Sequence, residues 1–137
     1  MTGHTQEKKT SPQIILQERA MRTREQRMAE TAFRRIEMRA REEKSEEYLS
    51  FANSFPSLIH SCGLIQAVAF AQAKKKTNLL EDLAEVLSLP VAELTVNARS
   101  KPLAVYMLLS REALLAAGWL KRYAQALIKK KDEEAMS

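Results

Sequence analysis

The sequence predicts an all-α protein, a compact bundle of six or seven helices with a long first helix. The chain has 137 residues, of which 45% are apolar, so it is long enough and apolar enough to form one packed core. Three glycines, four prolines and 6% aromatic residues are too few for the turns and strands of an all-β fold. Apolar residues also recur at helical spacing in most segments of the chain.

One long helix is predicted near the amino terminus, after a flexible tail at residues 1–10. Ser11 and Pro12 form a helix-start signal, a hydroxyl N-cap followed by proline at the first helical position. No glycine or proline interrupts the chain from there to Glu43, so we predict a single helix over this stretch. Its second half carries an apolar stripe at helical spacing, formed by Ala29, Ala32, Phe33, Ile36 and Ala40.

Two helices are predicted in the middle of the chain, on either side of Gly63. The first runs from about Glu46 to Cys62, and Pro56 either kinks it or restarts it. Gly63 then ends this helix. Residues 64–71 are apolar on nearly all sides, which predicts a helix at the centre of the bundle.

Lysine and proline mark the ends of the next helices. Residues 74–76 are all lysine, which is favourable at the negative end of a helix dipole. Thr77 or Asn78 is then predicted to cap a helix with a leucine-rich stripe, and Pro90 is predicted to end that helix.

The last part of the chain is predicted to form a short helix over residues 91–99 and then one or two helices that begin at Pro102. Ser110 either caps a separate final helix or lies within one continuous helix. The residues that we expect the final helix to bury are Ala113, Ala116, Leu120, Ala124 and Leu127. Residues 131–137 are predicted to form a flexible tail, so that residues 11–130 make a single helical domain.

Residue types needed for catalysis or metal binding are scarce and poorly spaced. His60 and Cys62 lie two residues apart, so on a helix they point to different faces and cannot share a metal ion. Three glycines can hardly build a phosphate-binding loop. We therefore predict a protein that is not an enzyme and that has no cofactor and no metal site.

The cysteine count and the lengths of the apolar runs predict a cytoplasmic protein. The single cysteine, Cys62, excludes an intramolecular disulfide and fits a reducing compartment. No uninterrupted apolar run approaches the ~20 residues of a membrane span, and no signal peptide opens the chain. We expect no association with a membrane.

The basic excess is confined to the two ends of the chain. The formal net charge is +5, whereas residues 51–100 carry equal numbers of basic and acidic side chains. Arg24 and Arg35 have no acidic residue three or four positions away, and their spacing puts them on one row of the first helix, with Arg27 and Arg34 on the adjoining face. Arginine binds phosphate in a bidentate manner, so this face predicts contact with a nucleic-acid backbone. A solvated helix face is the alternative.

The segment from Trp119 to Tyr123 offers a second candidate contact. Trp119 and Arg122 are i, i+3 neighbours, so the guanidinium can lie against the indole ring. An aromatic ring beside a cation can also stack a base of a single-stranded nucleic acid. The alternative is that Trp119 anchors the core where helices cross. Lys121 and Arg122 are therefore candidate binding residues.

Residues 83–94 resemble a helix-turn-helix motif. The helix that would enter the DNA groove offers Glu93, Asn97 and Arg99, which give no basic excess. Proteins that read the major groove need cations around that helix to contact phosphates. A DNA-binding regulator is therefore the less favoured alternative.

Two groups of segments resemble a known family. Residues 48–52, 55–59 and 63–70 read YLSFA, FPSLI and GLIQAVAF. Residues 111–114 and 119–127 read REAL and WLKRYAQAL. Together these segments resemble the Cmr small-subunit family, the small helical subunits of type III-B CRISPR effector complexes.

The resemblance, which covers about residues 14–129, implies an all-helical subunit without nuclease activity. In that family, copies stack head to tail into a short filament along the crRNA–target RNA duplex, beside a large polymerase-like subunit and backbone subunits. We therefore expect crRNA, target RNA, the other subunits and further copies of the chain as partners. The candidate contacts to the RNA backbone are Arg24, Arg27, Arg34, Arg35, Lys121 and Arg122. The competing interpretation is a purely structural adaptor, whose arginines contact protein carboxylates.

Overall fold

Residues 23–130, the part of the chain that the structure describes, form six α-helices and no β-strand in a computed structural model. In chain order the helices are α1 (Arg24–Ala40), α2 (Ser45–Cys62), α3 (Leu64–Ala73), α4 (Thr77–Val86), α5 (Val91–Ser100) and α6 (Leu103–Leu127). The all-α prediction is confirmed. The predicted tails, residues 1–10 and 131–137, lie outside the described residues, as do residues 11–22 of the predicted first helix.

Helices α1, α2 and α6 form the centre of the bundle. Arg24 of α1 pairs with Glu112 of α6, and further along both helices the rings of Phe33 and Tyr123 lie 5.4 Å apart, so α1 and α6 run parallel. The first turn of α2 lies beside the last turn of α6, so α2 runs in the opposite direction. The short helices α3, α4 and α5 pack around this centre and against one another.

The first described helix begins at a capping box. Thr23 has an extended backbone, with ψ at 157°, and its side chain accepts a hydrogen bond of 3.0 Å from the amide of Gln26. The Gln26 side chain in turn accepts a bond of 2.8 Å from the amide of Thr23. The prediction of one unbroken helix from Ser11 to Glu43 is therefore wrong at Thr23, and at 17 residues α1 is shorter than α6.

The boundary between α2 and α3 lies at Gly63, as predicted. Gly63 has φ at +86° and ψ at 161°, a conformation that residues with a Cβ rarely adopt. Its amide donates a hydrogen bond of 2.8 Å to the carbonyl of Ile59, which completes the last turn of α2. Pro56 lies inside α2, so it does not restart the helix.

Helix α3 is not a central helix, and that prediction is wrong. One face of α3 is buried, and its members are Leu64, Ala67, Val68 and Ala71. The opposite face is open to solvent, where Ile65 is 42% exposed and Phe70 is 43% exposed. An apolar composition does not fix how many neighbours a helix has, and this ten-residue helix is covered on one side only.

The turn into α4 differs from its prediction by one or two residues. Lys76, rather than Thr77 or Asn78, is the N-cap, and its side chain makes no capping hydrogen bond. Lys75 takes a left-handed conformation with φ at +58°, and the amide of Lys76 bonds to the carbonyl of Ala71. This arrangement ends α3 at Ala73, and three residues later α4 begins at Thr77.

The predicted starts of α5 and α6 are confirmed. Pro90 and Pro102 occupy the N-cap positions of these helices. The prediction that Pro90 ends α4 is wrong, because α4 already ends at Val86, after which Ser88 takes a left-handed conformation with φ at +59°. Ser110 lies within a continuous α6 of 25 residues, which settles the alternative left open by the sequence. The predicted buried face of α6 is also confirmed for Ala113, Ala116, Leu120 and Ala124, with Leu127 partly buried.

The first half of α6 exposes a set of apolar side chains, which we call the α6 apolar surface. Its members are Leu103, Val105, Met107, Leu108 and Leu115, which range from 47% to 73% exposed. By length and composition alone, α6 is able to cross a membrane. The sequence prediction considered uninterrupted apolar runs, and Arg111 and Glu112 interrupt this one. In the structure the second half of α6 supplies core residues to the bundle.

Candidate nucleic-acid interface

Three of the six candidate RNA-binding residues line one groove, which we call the arginine groove. It has a volume of about 600 Å³ and lies between α1, the turn after α4, and α6. Arg24, Arg27 and Arg34 contribute from α1, where their spacing of three and seven residues puts them on one face. Ser88 and Glu112 line the opposite side.

Arg24 is held in this groove by an acidic residue from another helix. Its guanidinium forms an ion pair with Glu112 of α6, and the two side chains are 59% and 17% exposed. The sequence interpretation, which considered acidic residues on the same helix only, leaves Arg24 without a partner, and this is wrong. The pair fixes one end of α1 against α6.

Arg27 and Arg34 are the available cations of the arginine groove. Both are exposed, and no ion pair to either side chain forms within residues 23–130. Met28, on the neighbouring face of α1, is buried in the core and anchors this part of the helix. The groove therefore presents two guanidinium groups without an ion pair among the described residues, with the carboxylate of Glu30 beside them on the same helix.

Arg35 does not lie in the arginine groove. Its Nε donates a hydrogen bond of 2.7 Å to Oδ1 of Asp82, and its side chain is 23% exposed. The expectation of an unpaired row through Arg24 and Arg35 is therefore wrong. Both arginines are neutralised by carboxylates that come from distant parts of the sequence, which spacing within one helix does not reveal.

Asp82 is the centre of a buried polar network that links α1, α2 and α4. The side chain is fully buried, and its oxygens accept hydrogen bonds of 2.9 and 3.1 Å from Arg39 and of 2.6 Å from the Tyr48 hydroxyl, besides the bond from Arg35. Arg39 also donates to Glu42 at 2.9 Å. Buried charges are stabilising only when they are paired and hydrogen-bonded in this way.

Two members of the network have shifted pKa values. Burial raises the pKa of Tyr48 well above its ordinary value, and the charge of Asp82 raises it further. Burial acts to lower the pKa of the Arg39 guanidinium, but hydrogen bonds to Asp82 and Glu42 outweigh it, so that this pKa is raised. Both groups therefore stay protonated at neutral pH, and both keep donating to their carboxylate partners.

Lys121 and Arg122 lie on α6, outside the arginine groove. The Arg122 guanidinium lies 5.7 Å from the centre of the Trp119 ring, so the predicted contact between these two residues is confirmed. Trp119 also stacks on Tyr123 at 5.8 Å and packs against the core as a partly buried residue. Because part of the indole anchors the core, the alternative interpretation of Trp119 also has structural support.

The described residues hold no cluster of three or more His, Cys, Asp and Glu side chains that could bind a metal ion. His60 and Cys62 are both exposed near the end of α2.

Comparisons with known proteins agree with this fold. The family model for the CRISPR-associated protein (Cas_Cmr5) matches residues 24–127, which span all six helices. Over 112 residues the chain is 42% identical to CRISPR system Cmr subunit Cmr5 from Thermus thermophilus, a match that covers 79% of this chain and 98% of that protein.

A solved structure is similar along its whole length. It is the X-ray crystal structure of a CRISPR-associated Cmr5 family protein, also from Thermus thermophilus, with a TM-score of 0.76 and 41% sequence identity. The similarity covers 80% of this chain and 100% of that one. Sequence and fold therefore lead to the same conclusion, that the chain belongs to the Cmr5 family of CRISPR-associated proteins.

Proposed function

We propose that this chain is the small, non-catalytic Cmr5 subunit of a type III-B CRISPR effector complex, which acts in the cytoplasm in antiviral defence. Membership of the Cmr5 family supports the place in a Cmr complex. In this complex the chain contacts the backbone of crRNA and target RNA and leaves the choice of sequence to guide pairing. The observation that carries the RNA contact is the arginine groove with its two available cations, Arg27 and Arg34.

The geometry of Arg27 and Arg34 suits a phosphate backbone. Seven residues of α-helix separate them by about 10 Å, so they reach different phosphates along one strand. Each guanidinium offers a planar pair of donors to phosphate oxygens. Such contacts set the position of the RNA and are independent of its sequence.

The other candidate residues have different roles in this proposal. Arg35 positions α1 against α4 through Asp82 and does not contact RNA. Arg24 borders the groove, but its charge is shared with Glu112. Lys121 and Arg122 form a secondary contact on α6, where Arg122 and Trp119 present a cation and a ring together.

The double variant Arg27→Ala/Arg34→Ala, built into the assembled complex, tests the RNA contact. We expect the affinity for target RNA to fall alike for all target sequences. We also expect the slope of log K against log salt to become shallower by about 2, one for each lost phosphate contact. Replacing Arg41 and Arg99, two exposed arginines outside the groove, is the matched control. Wild-type affinity and salt slope in the groove variant would contradict the proposal.

Stacking of copies into a short filament is part of the same proposal. The α6 apolar surface supports it, because several large apolar side chains exposed on one stretch of helix are typical of protein–protein contacts. A head-to-tail contact joins two different surfaces and need not close, so repeated copies extend as a filament. The large polymerase-like subunit and the backbone subunits are the further partners that we propose.

A structural adaptor is the second candidate function, and one observation favours it. Two of the four candidate arginines on α1, Arg24 and Arg35, already bind carboxylates. In this alternative, Arg27 and Arg34 bind carboxylates of a neighbouring subunit instead of RNA. The adaptor predicts that the double variant is lost from the complex after RNase treatment, whereas the RNA contact predicts that it is retained.

A further inference from the structure

A second basic groove lies at the turn between α3 and α4, and we call it the lysine groove. It has a volume of about 330 Å³ and is lined by Lys44, Lys74, Lys75 and Lys76 together with Phe51. An adjoining depression of about 240 Å³ shares Phe51 and Lys76 and extends the groove along α2. The arginine groove lies at the other end of α4, about 15 Å away along ten residues of helix.

The lysines of this groove outnumber the acidic side chains that line it. No ion pair to any of the four forms within the described part of the chain. One acidic side chain, Glu47, shares the lining with them. Lys74 contacts an aromatic ring instead of a carboxylate, with its Nζ 5.7 Å from the centre of Phe70. The groove thus carries a local excess of positive charge.

Lys75 occupies a backbone position that favours glycine. The amides of Lys75 and Lys76 donate to the carbonyls of Gln72 and Ala71, the hydrogen-bond pattern of a Schellman motif, and Lys75 takes the left-handed conformation with φ at +58°. A residue with a Cβ is strained there. Ser88 takes the same conformation after α4, with φ at +59°, so α3 and α4 both end without a glycine at this position.

An aromatic surface adjoins the lysines. Phe70 is 43% exposed, and its ring lies nearly parallel to that of Phe51, at 9° and 6.2 Å. Aromatic rings beside basic residues are the common device by which proteins bind single-stranded nucleic acids, because every base has a face that stacks. The ammonium of Lys74 sits on a flexible stem, so it can move from the ring of Phe70 to a phosphate.

We propose that the lysine groove binds a single-stranded segment of RNA, with the lysines on its phosphates and one base stacked on Phe70. The inference rests on the proposed function in one respect, that the chain lies on an RNA path. The inference differs from the proposed function in the type of RNA bound. Phe70 would stack on an unpaired base, whereas the bases of the crRNA–target duplex are paired. The arginine groove supplies phosphate contacts only.

The double variant Lys75→Gly/Lys76→Ala, measured in the assembled complex, tests this inference. Glycine relieves the strain at position 75, so we expect the thermal unfolding midpoint of the Lys75→Gly chain to rise by about 2–5 °C. RNA affinity of the double variant should nevertheless fall, with a salt slope shallower by about 1–2. Replacing Lys129 and Lys130, two exposed lysines outside both grooves, is the charge-matched control. If the variant chain is more stable and yet binds RNA more weakly, the loss of binding cannot be caused by unfolding.

Three outcomes overturn the inference. One is wild-type RNA affinity in the double variant. A second is loss of the variant chain from the complex after RNase treatment, which would assign the groove to an acidic protein surface. A third is wild-type affinity in Phe70→Leu, where loss of one stacked base predicts binding weaker by about 5-fold or more.

The two basic grooves are tested independently of each other. If the Arg27→Ala/Arg34→Ala variant loses RNA affinity and the lysine variant keeps it, the lysine groove is overturned and the arginine contact stands. Loss in the lysine variant alone supports the lysine groove and overturns the contact through Arg27 and Arg34.

Discussion

Asp82 is fully buried where α1, α2 and α4 meet, and it accepts hydrogen bonds from Arg35, Arg39 and Tyr48. A carboxylate removed from water loses several kcal/mol of solvation, which only well-formed bonds to charged and polar donors recover. Loss of Asp82 would remove the shared acceptor of Arg35 and Tyr48 and leave Arg39 with only Glu42 and Glu81, at a cost of about 1–3 kcal/mol. The network therefore holds α1, which carries the arginine groove, in a single position.

The sequence indicates that Arg39 and Asp82 are buried, but it does not indicate that they bind each other. Arg39 follows the buried Ile36 by three residues, and Asp82 follows the buried Leu79 by three, so each charged residue lies on an apolar stripe. Such a position indicates a buried ion pair. The two residues are 43 positions apart, and only the packing of α1 on α4 brings them together. Arg27 and Arg34 are exposed on one face of one helix, so their spacing in the sequence is enough to predict that they lie on the same surface.

At the residue scale, Tyr48→Phe should show a pH-dependent loss of stability. At neutral pH the variant loses about 1–3 kcal/mol, because the buried Asp82 loses a donor. Above pH 10 an unfolded tyrosine ionises, whereas folded Tyr48 stays protonated because its pKa is raised. Above pH 10 the free energy of unfolding of the wild type therefore falls by up to about 1.4 kcal/mol per pH unit, whereas that of the variant does not. The difference in stability between the two proteins shrinks as the pH rises. Urea unfolding of both proteins from pH 7 to 11 measures this, and a constant difference would contradict it.

Helix ends in this fold are predictable where one residue determines them. Gly63 and Pro102 act through their own backbone chemistry, and both boundaries are confirmed. Pro90 precedes α5 as predicted but does not end α4, which stops at Val86. The start of α1 depends on a pair, Thr23 and Gln26, whose spacing is a recognised capping box. The sequence offers a second start signal upstream, so this boundary does not follow from local chemistry alone.

The exposure of an element is less predictable than its ends. The composition of α3 is apolar on nearly all sides, yet only one face is covered, because coverage depends on how many neighbours pack against it. The exposed Phe70 that results adjoins the lysine groove. The helix-dipole interpretation of the lysines at residues 74–76 accounts for their place at a helix end and leaves their grouping with Phe51 and Lys44 unexplained.

At the scale of the element, two glycines should respond in opposite ways to alanine. Gly63→Ala should destabilise the protein by about 1–3 kcal/mol, because φ at +86° is strained for any residue with a Cβ. Gly118→Ala should stabilise it by about 0.5–1 kcal/mol, because Gly118 lies inside α6 with no atom within 4 Å of an added Cβ. Thermal or urea unfolding measures both. Equal effects would contradict the role of Gly63 as the boundary of α2.

The whole molecule carries two basic grooves and one exposed apolar surface. The arginine and lysine grooves lie at opposite ends of α4, and the helix with the apolar surface, α6, also contributes Glu112 to the arginine groove. Three arginines of α1, Arg24, Arg35 and Arg39, are paired with carboxylates within the fold, so this helix offers fewer cations to RNA than its sequence suggests. This arrangement fits the proposed function, in which each copy of the chain contacts a short length of RNA within a larger complex.

The central claim is that this Cmr5-family chain contacts RNA through exposed cations whatever the target sequence. Photo-crosslinking of the assembled complex to target RNA, followed by mass spectrometry of the crosslinked peptides, tests it most directly. The same sample, treated with a lysine crosslinker, reports contacts between copies through Lys101, the C-cap of α5, which lies two residues before α6. Two unrelated target sequences, each paired with its own guide, provide the comparison.

We predict RNA crosslinks on two peptides, one with Arg27 and Arg34 and one with residues 74–76, at equal yield for both target sequences. The stacking proposal further predicts links from Lys101 to another copy of the chain. A complex in which the neighbouring subunits crosslink to RNA while this chain does not would contradict the central claim.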